Sequence, residues 1–384
     1  MKAKTLFTSM VAFVSTAALC SFAFAKEPEK SKAKENPKPL VQIAILLDTS
    51  GSMEGLIEQA KSQLWRIVNE FAKAKQGGVA PEVQVALYEY GKSSLAAASG
   101  WIRQIQPLTT DFDKISEELF ALRTNGGDEY CGWVIKDAIN ELVWSPESNV
   151  YKAIFIAGNE PFTQGPVDYA VSCKAAITKG IIVNTIHCGD EATGINTKWR
   201  DGADLADGRY LIIDQNRAVV SIDAPQDKEI AKLGVELNKT YIAYGVAGRA
   251  GEARQKLQDV NALSLAPASG AAVQRSVAKA SANYQNASWD LVDAAKEKDF
   301  KLSELKAEDL PAEMQKMNAE ERKAYLEKSA KERIDLQAKI NQLNKAREQY
   351  VATRMKEIAG TNTLDAVVVS AVREQSAKRN FVFE

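Results

Sequence analysis

The chain has 384 residues, with 49 lysines and arginines against 50 aspartates and glutamates, and a single histidine. That near-neutral balance excludes the basic surface a nucleic-acid binder needs, and the length suffices for one large domain plus a smaller region. One histidine and no cysteine pair at ligand spacing leave zinc without a site.

Lys2 and Lys4 precede an apolar or small-residue run over residues 6–24, and Ala23-Phe24-Ala25 stands before the charged stretch opening at Lys26. This is the pattern of a signal peptide, residues 1–25, cleaved after Ala25. Leu19, directly before Cys20, is too large for the usual lipid-attachment box, so no lipid anchor is expected. No later apolar run is long enough to span a bilayer. The mature chain is therefore expected to be exported, periplasmic or secreted. Residues 26–38 are charged and Pro-containing, with little to bury, and read as a linker.

From residue 39 to 224 apolar strand patterns alternate with amphipathic helices. Strands are expected at 41–47, 83–90, 101–106, 151–157, 181–187 and 209–213, and helices at 55–75, 113–122, 131–142 and 167–179. This alternation specifies an α/β fold with a doubly wound, mainly parallel sheet, whose ligands bind outside the carboxyl ends of the strands.

Residues 225–384 read as a helical C-terminal region. Helices are expected at 227–238, 251–262 and 273–298, an extended piece at 240–245 and a turn region at 266–272. The longest helix begins at the capping-box pair Asn318 and Glu321 and stops at Gly360. Its stripe of Leu336, Ile340, Leu343 and Tyr350 is coiled-coil-like, and Arg347 interrupts it. About 40 helical residues reach on the order of 60 Å. The run either packs as a hairpin on 273–298, which the broken stripe favours, or acts as a stalk or self-association element.

The chemistry concentrates at Asp48-Thr49-Ser50-Gly51-Ser52, directly after the first strand. One carboxylate and two hydroxyls at 48, 50 and 52 make a hard, oxygen-only site suited to Mg²⁺ or Ca²⁺. The segment resembles the DxSxS motif of von Willebrand factor type A (VWA) domains, where it forms a metal-ion-dependent adhesion site (MIDAS). The resemblance covers about residues 39–224 and implies two further ligand loops. Thr124-Asn125-Gly126-Gly127-Asp128-Glu129 looks like the second, with Thr124 giving a hydroxyl oxygen and Asp128 binding directly or through water. The family's third-loop acid falls at Asn159, or at Gly158 if Pro161 anchors the alignment. An amide there removes a negative charge and weakens bare-ion affinity, while leaving a bound metal more electrophilic toward an acidic partner; Glu160 is the alternative acid. By the resemblance, the cofactor is Mg²⁺ (or Ca²⁺/Mn²⁺) and the partner is a protein supplying a carboxylate.

Past the signal peptide the cysteines are Cys131, Cys173 and Cys188. Cys188 reads as structural, either a buried thiol or bonded to Cys131, and Cys173 as core. His187 beside Cys188 is the only nucleophile–base pair in sight, but adjacent strand residues point to opposite faces. The expectation is a cation-dependent binding module and not an enzyme. The alternatives are an envelope scaffold with a decayed metal site and, less favoured, a cysteine-dependent enzyme.

Overall fold

The structure, a computed structural model, describes residues 38–213, 222–265, 270–357 and 364–383. The signal peptide with its Ala25 cleavage position, linker residues 26–37, turn residues 266–269 and the Gly360 stop lie outside them.

The strands are β1 (Leu40–Asp48), β2 (Ala74–Gln76), β3 (Glu82–Tyr90), β4 (Ile102–Thr109), β5 (Tyr151–Gly158), β6 (Ile181–Cys188), β7 (Tyr210–Ile213) and β8 (Phe381–Phe383). Six form the main sheet in the order β4-β3-β1-β5-β6-β7, antiparallel only between β3 and β4. The helices flanking it are α1 (Glu54–Ala72), α2 (Phe112–Ala121), α3 (Cys131–Glu141), α4 (Tyr169–Thr178), α5 (Glu191–Asn196) and α6 (Trp199–Asp204). This is the doubly wound α/β sheet its alternation predicts. β1 alternates its apolar side chains between two cores, as a strand covered on both faces must. Val41, Ile43 and Leu47 pack with Leu56, Val68 and Phe71 of α1. Ala44 and Leu46 pack with Val134 and Ile135 of α3 and Ala176 of α4.

After residue 222 come α7 (Asp227–Asn238), α8 (Gly245–Ser264), α9 (Ala271–Lys279), α10 (Leu291–Ala294), α11 (Ala312–Gln315), α12 (Ala319–Glu357) and α13 (Leu364–Ala377). The helix expected over 273–298 is not continuous. α9 stops at Lys279, and the chain turns through residues whose side chains satisfy the backbone locally. Ser281 Oγ donates to the Ala278 carbonyl, Asn286 N–H donates to Asp293, and Asp290 caps α10. The extended piece at 240–245 makes one isolated bridge, Ala243 with Asp290. α12 is a single helix of 39 residues, laid on α7 and α9 through Leu336, Ile340, Ile230, Leu237, Val273 and Val277. Arg347, the break in its stripe, pairs with Asp227 of α7 at 2.6 Å.

α13, which the periodicity did not reveal, returns to the sheet. Val368 and Val372 join the core under α1. Gln375 Nε2 donates to Asn184 Oδ1 of β6 at 2.7 Å, and Tyr151 Oη donates to Gln375 Oε1 at 2.8 Å. β8 then pairs antiparallel with β2. Among the described residues no helix is long and apolar enough to cross a membrane.

Candidate functional site

β1 and β5 are the strands from which the chain departs in opposite directions, so their carboxyl ends open the crevice where such sheets bind ligands. Asp48 closes β1 there, between Tyr90 of β3 and the Gly158 end of β5, and is fully buried. Its Oδ1 accepts the Ser50 N–H at 2.7 Å, whereas its Oδ2 has no hydrogen-bond partner. Glycine at 158 is required by close approach: a Cβ would stand 3.0 Å from Asp48 Oδ2 and 2.6 Å from Tyr90 Oη.

Ser50 Oγ lies 3.4 Å from Ser52 Oγ, and Ser52 Oγ donates to Asn159 Oδ1 at 3.4 Å. Asp48 and Ser50 are buried and Ser52 is exposed, so the cluster grades from interior to solvent. Trp199 of α6 pins the third loop by donating its Nε1–H to the Glu160 carbonyl at 2.8 Å. The first and second loops are tied by Asn125 N–H to the Thr49 carbonyl at 2.9 Å.

The second loop brings a different acid from the one expected. Asp128 is exposed, and its Oδ2 accepts from Tyr130 Oη at 3.4 Å. Glu129 is the buried one, its N–H held by Gln164 Oε1 at 2.8 Å. Gly91, at φ +79°, marks where Glu129 and Asp48 converge: a Cβ there would lie 2.7 Å from Glu129 Cγ and 2.9 Å from Asp48 Oδ1. Thr124 is half-buried, and among the described residues it makes no hydrogen bond to the cluster. Of the residues singled out in the sequence, the fold thus gathers Asp48, Ser50, Ser52 and Asn159. The two consecutive acids at 128 and 129 were the available signal for Glu129; which of them turns inward is set by the Gln164 contact, remote in sequence.

The electrostatics are uncompensated. Burial first of all, with the Glu160 charge adding to it, pushes Asp48 up to about 7 against the hydrogen bond from Ser50. Burial, then the charges of Asp48 and Glu160, push Glu129 to about 8. Among the described residues no lysine or arginine pairs with Asp48, Glu129 or Glu160. Glu89, one strand over, is equally buried but has Arg103 at 2.6 Å and Lys92 at 3.6 Å. Among the described residues no group of three or more His, Cys, Asp or Glu could hold a metal. The rim cluster relies on two convergent carboxylates and uncharged hydroxyl and amide oxygens. An orphaned carboxylate oxygen beside this oxygen-only set fits a hard divalent cation.

All three described cysteines are free and buried, so Cys131 and Cys188 are not bonded to each other. Cys131 Sγ donates to Tyr90 Oη at 3.7 Å, and Cys173 packs in the core under α4. Cys188 belongs to the α1-side core, and burial raises its thiol far above the usual range. His187 lies across the sheet beside Trp199, ring centroids 5.6 Å apart, with both nitrogens unbonded. The pair does not meet.

A doubly wound sheet with an oxygen-lined crevice at the end of its central strand defines the class. Residues 42–196 match the family model of the von Willebrand factor type A domain, and the chain carries that domain. No curated protein matches the chain. Among solved structures it is similar to BatB from Bacteroides thetaiotaomicron, at 19% identity over 45% of this chain and 90% of that one, with a TM-score of 0.35. It is also similar to the SpRpn10 VWA domain (17% identity, 45% and 88% covered, TM-score 0.35). A third is proximal thread matrix protein 1 from the mussel byssus, solved with a zinc-occupied MIDAS motif (14% identity, 47% and 43% covered, TM-score 0.36).

Proposed function

We propose that this chain is an exported binding protein whose VWA domain takes a divalent cation, Mg²⁺ or else Ca²⁺ or Mn²⁺, and through it engages a carboxylate of a protein partner. Asp48, Ser50 and Ser52 with Glu129 and Asn159 would hold the ion, which when bound supplies a Lewis-acidic position for the partner's oxygen. The single observation carrying this reading is charge: among the described residues Asp48 and Glu129 are buried together with no base to meet them, and Asp48 Oδ2 has no hydrogen-bond partner. Asn159 leaves the set one charge lighter than a third aspartate would, which favours an acidic visitor. Export rests on the pattern of residues 1–25. The helical region after residue 224 would position the domain in the envelope.

Titration calorimetry of the mature protein with MgCl₂, MnCl₂ and CaCl₂ tests the reading. Saturable binding by wild type that Asp48→Ala abolishes supports it, as does a partner captured from envelope extract only without EDTA. Failure of all three ions to bind would leave a structural scaffold with a decayed site.

A further inference from the structure

We infer that the outward face of α8, continued by the groove between α7 and α8, docks an amphipathic helix of another protein whose apolar stripe is flanked by acids. α8 buries one side through Gly248, Gly251, Gln255, Gln258 and Ala262. Val246, Ala250, Ala253, Leu257 and Val260 follow one another at alternating intervals of four and three on the exposed side. That is the spacing at which one helix receives the knobs of another, and alanines at 250 and 253 let a second backbone come close.

The face is apolar as well as periodic. Val246 is 99% exposed, Leu257 48%, Val260 60% and Leu263 65%, and Val235 on α7 is 57% exposed. They are five of the twelve exposed large apolar side chains among the described residues, so the exposure is a patch and not a scatter. Leu263 and Val235 also wall a cavity of about 220 Å³ between α7 and α8, room for an inserted apolar side chain. At its floor Arg275 and Lys279 are paired with Asp259, so the floor offers no free charge.

Charge selects the occupant. Arg249 and Lys256 run along one edge of the stripe, and Lys232 stands on the lip of the cavity. Among the described residues Lys256 is engaged only by Glu252 of its own helix at 2.7 Å, and Lys232 by Glu229 at 4.0 Å, exposed pairs that hold their charge weakly. A second copy of this chain laid antiparallel would set Arg249 and Lys256 against the same cationic edge of its twin, and one laid parallel would set Arg249 beside Arg254. A helix with glutamates at those flanks meets them instead. The surface shares no residue with the rim cluster and does not depend on the cation.

The test uses the full mature chain and two fluorescein-labelled synthetic heptad peptides with leucine at the seam, one with glutamate at both flanks, the other with lysine. Fluorescence anisotropy should show the glutamate peptide binding at least tenfold tighter than the lysine peptide. Leu257→Asp combined with Val260→Asp, both at exposed positions, should weaken it at least tenfold with an unchanged thermal melt. Arg249→Glu combined with Lys256→Glu should reverse the preference, whereas EDTA or Asp48→Ala should leave binding as it was. Equal binding of both peptides, or indifference to the charge reversal, overturns the proposal. Loss of binding with Asp48→Ala would move the peptide to the rim, and a sedimenting dimer that Leu257→Asp dissolves would give the face to a second copy; either also overturns it.

Discussion

At the sheet rim Asp48 and Glu129 lie buried with no base among the described residues, while between α2, α8 and α9 the buried Asp113 and partly buried Asp259 are met by Arg275 and Lys279. Arg275 is 1% exposed; its Nη1 lies 2.6 Å from Asp113 Oδ1 and its Nε 2.5 Å from Asp259 Oδ1. Lys279 holds Asp259 at 2.8 Å, and Tyr284 Oη donates to Asp113 at 2.6 Å. The guanidinium also sits 4.7 Å over the Trp65 ring of α1. Burial alone would raise Asp259, but Lys279 and Arg275 outweigh it and hold that carboxyl below its usual range. The same residue type thus does two jobs. Carboxylates that the chain neutralises itself clamp the helical region to the sheet domain; those at the rim are left without a cationic side chain among the described residues.

The largest way to break this contrast is to remove the interior cation. Arg275→Met strands Asp113 and Asp259 and should cost about 3–5 kcal/mol, read by urea unfolding. Next comes the outside charge. Mg²⁺ at 100 times its dissociation constant should stabilise wild type by about 2.7 kcal/mol in a thermal melt and leave Asp48→Ala unmoved.

The two sites also predict opposite pH slopes. Asp259, held low, contributes stability present above the ordinary carboxylate range near pH 4 and lost as pH falls through its lowered value. Asp48 and Glu129, raised to about 7 and 8, keep protons that the unfolded chain has released. Metal-free stability should therefore decline as pH rises from about 4 to 8, and saturating Mg²⁺ should remove that decline. Denaturation curves at stepped pH, with and without EDTA, separate the two.

A smaller sharpening is Asn159→Asp, which adds a carboxylate beside Ser52 and should tighten cation affinity roughly tenfold, about 1.4 kcal/mol by calorimetry. Smallest of all, Asp128→Asn should leave cation binding unchanged where Glu129→Gln weakens it; equal effects would return the second-loop role to Asp128.

What could be read from the residues follows from range. β1, β3, β5 and β6 are long, largely apolar runs bounded by turn residues, and their buried character is local, so the sheet and the position of Asp48 were legible. Ser50 and Ser52 came with Asp48 because two residues along a turn is a short reach. Glu129 did not, because Asp128 and Glu129 are locally equivalent and only the Gln164 side chain, 35 residues on, turns one of them inward. The break after Lys279 was hidden for a related reason: Val273, Val277 and Leu291 keep an apolar pattern, while Asn286 and Asp293 bond across the turn between them. α13 was missed because its apolar residues make sense only against the α1-side core, whose elements lie far earlier in the chain.

The closure of β8 on β2 carries a consequence for the order of assembly. One flank of the earliest-made domain stays open to water until residues 364–383 emerge and settle over Asn184 and Ala74. A chain made from its amino end would therefore hold a half-clad sheet until residues 364–383 are in place.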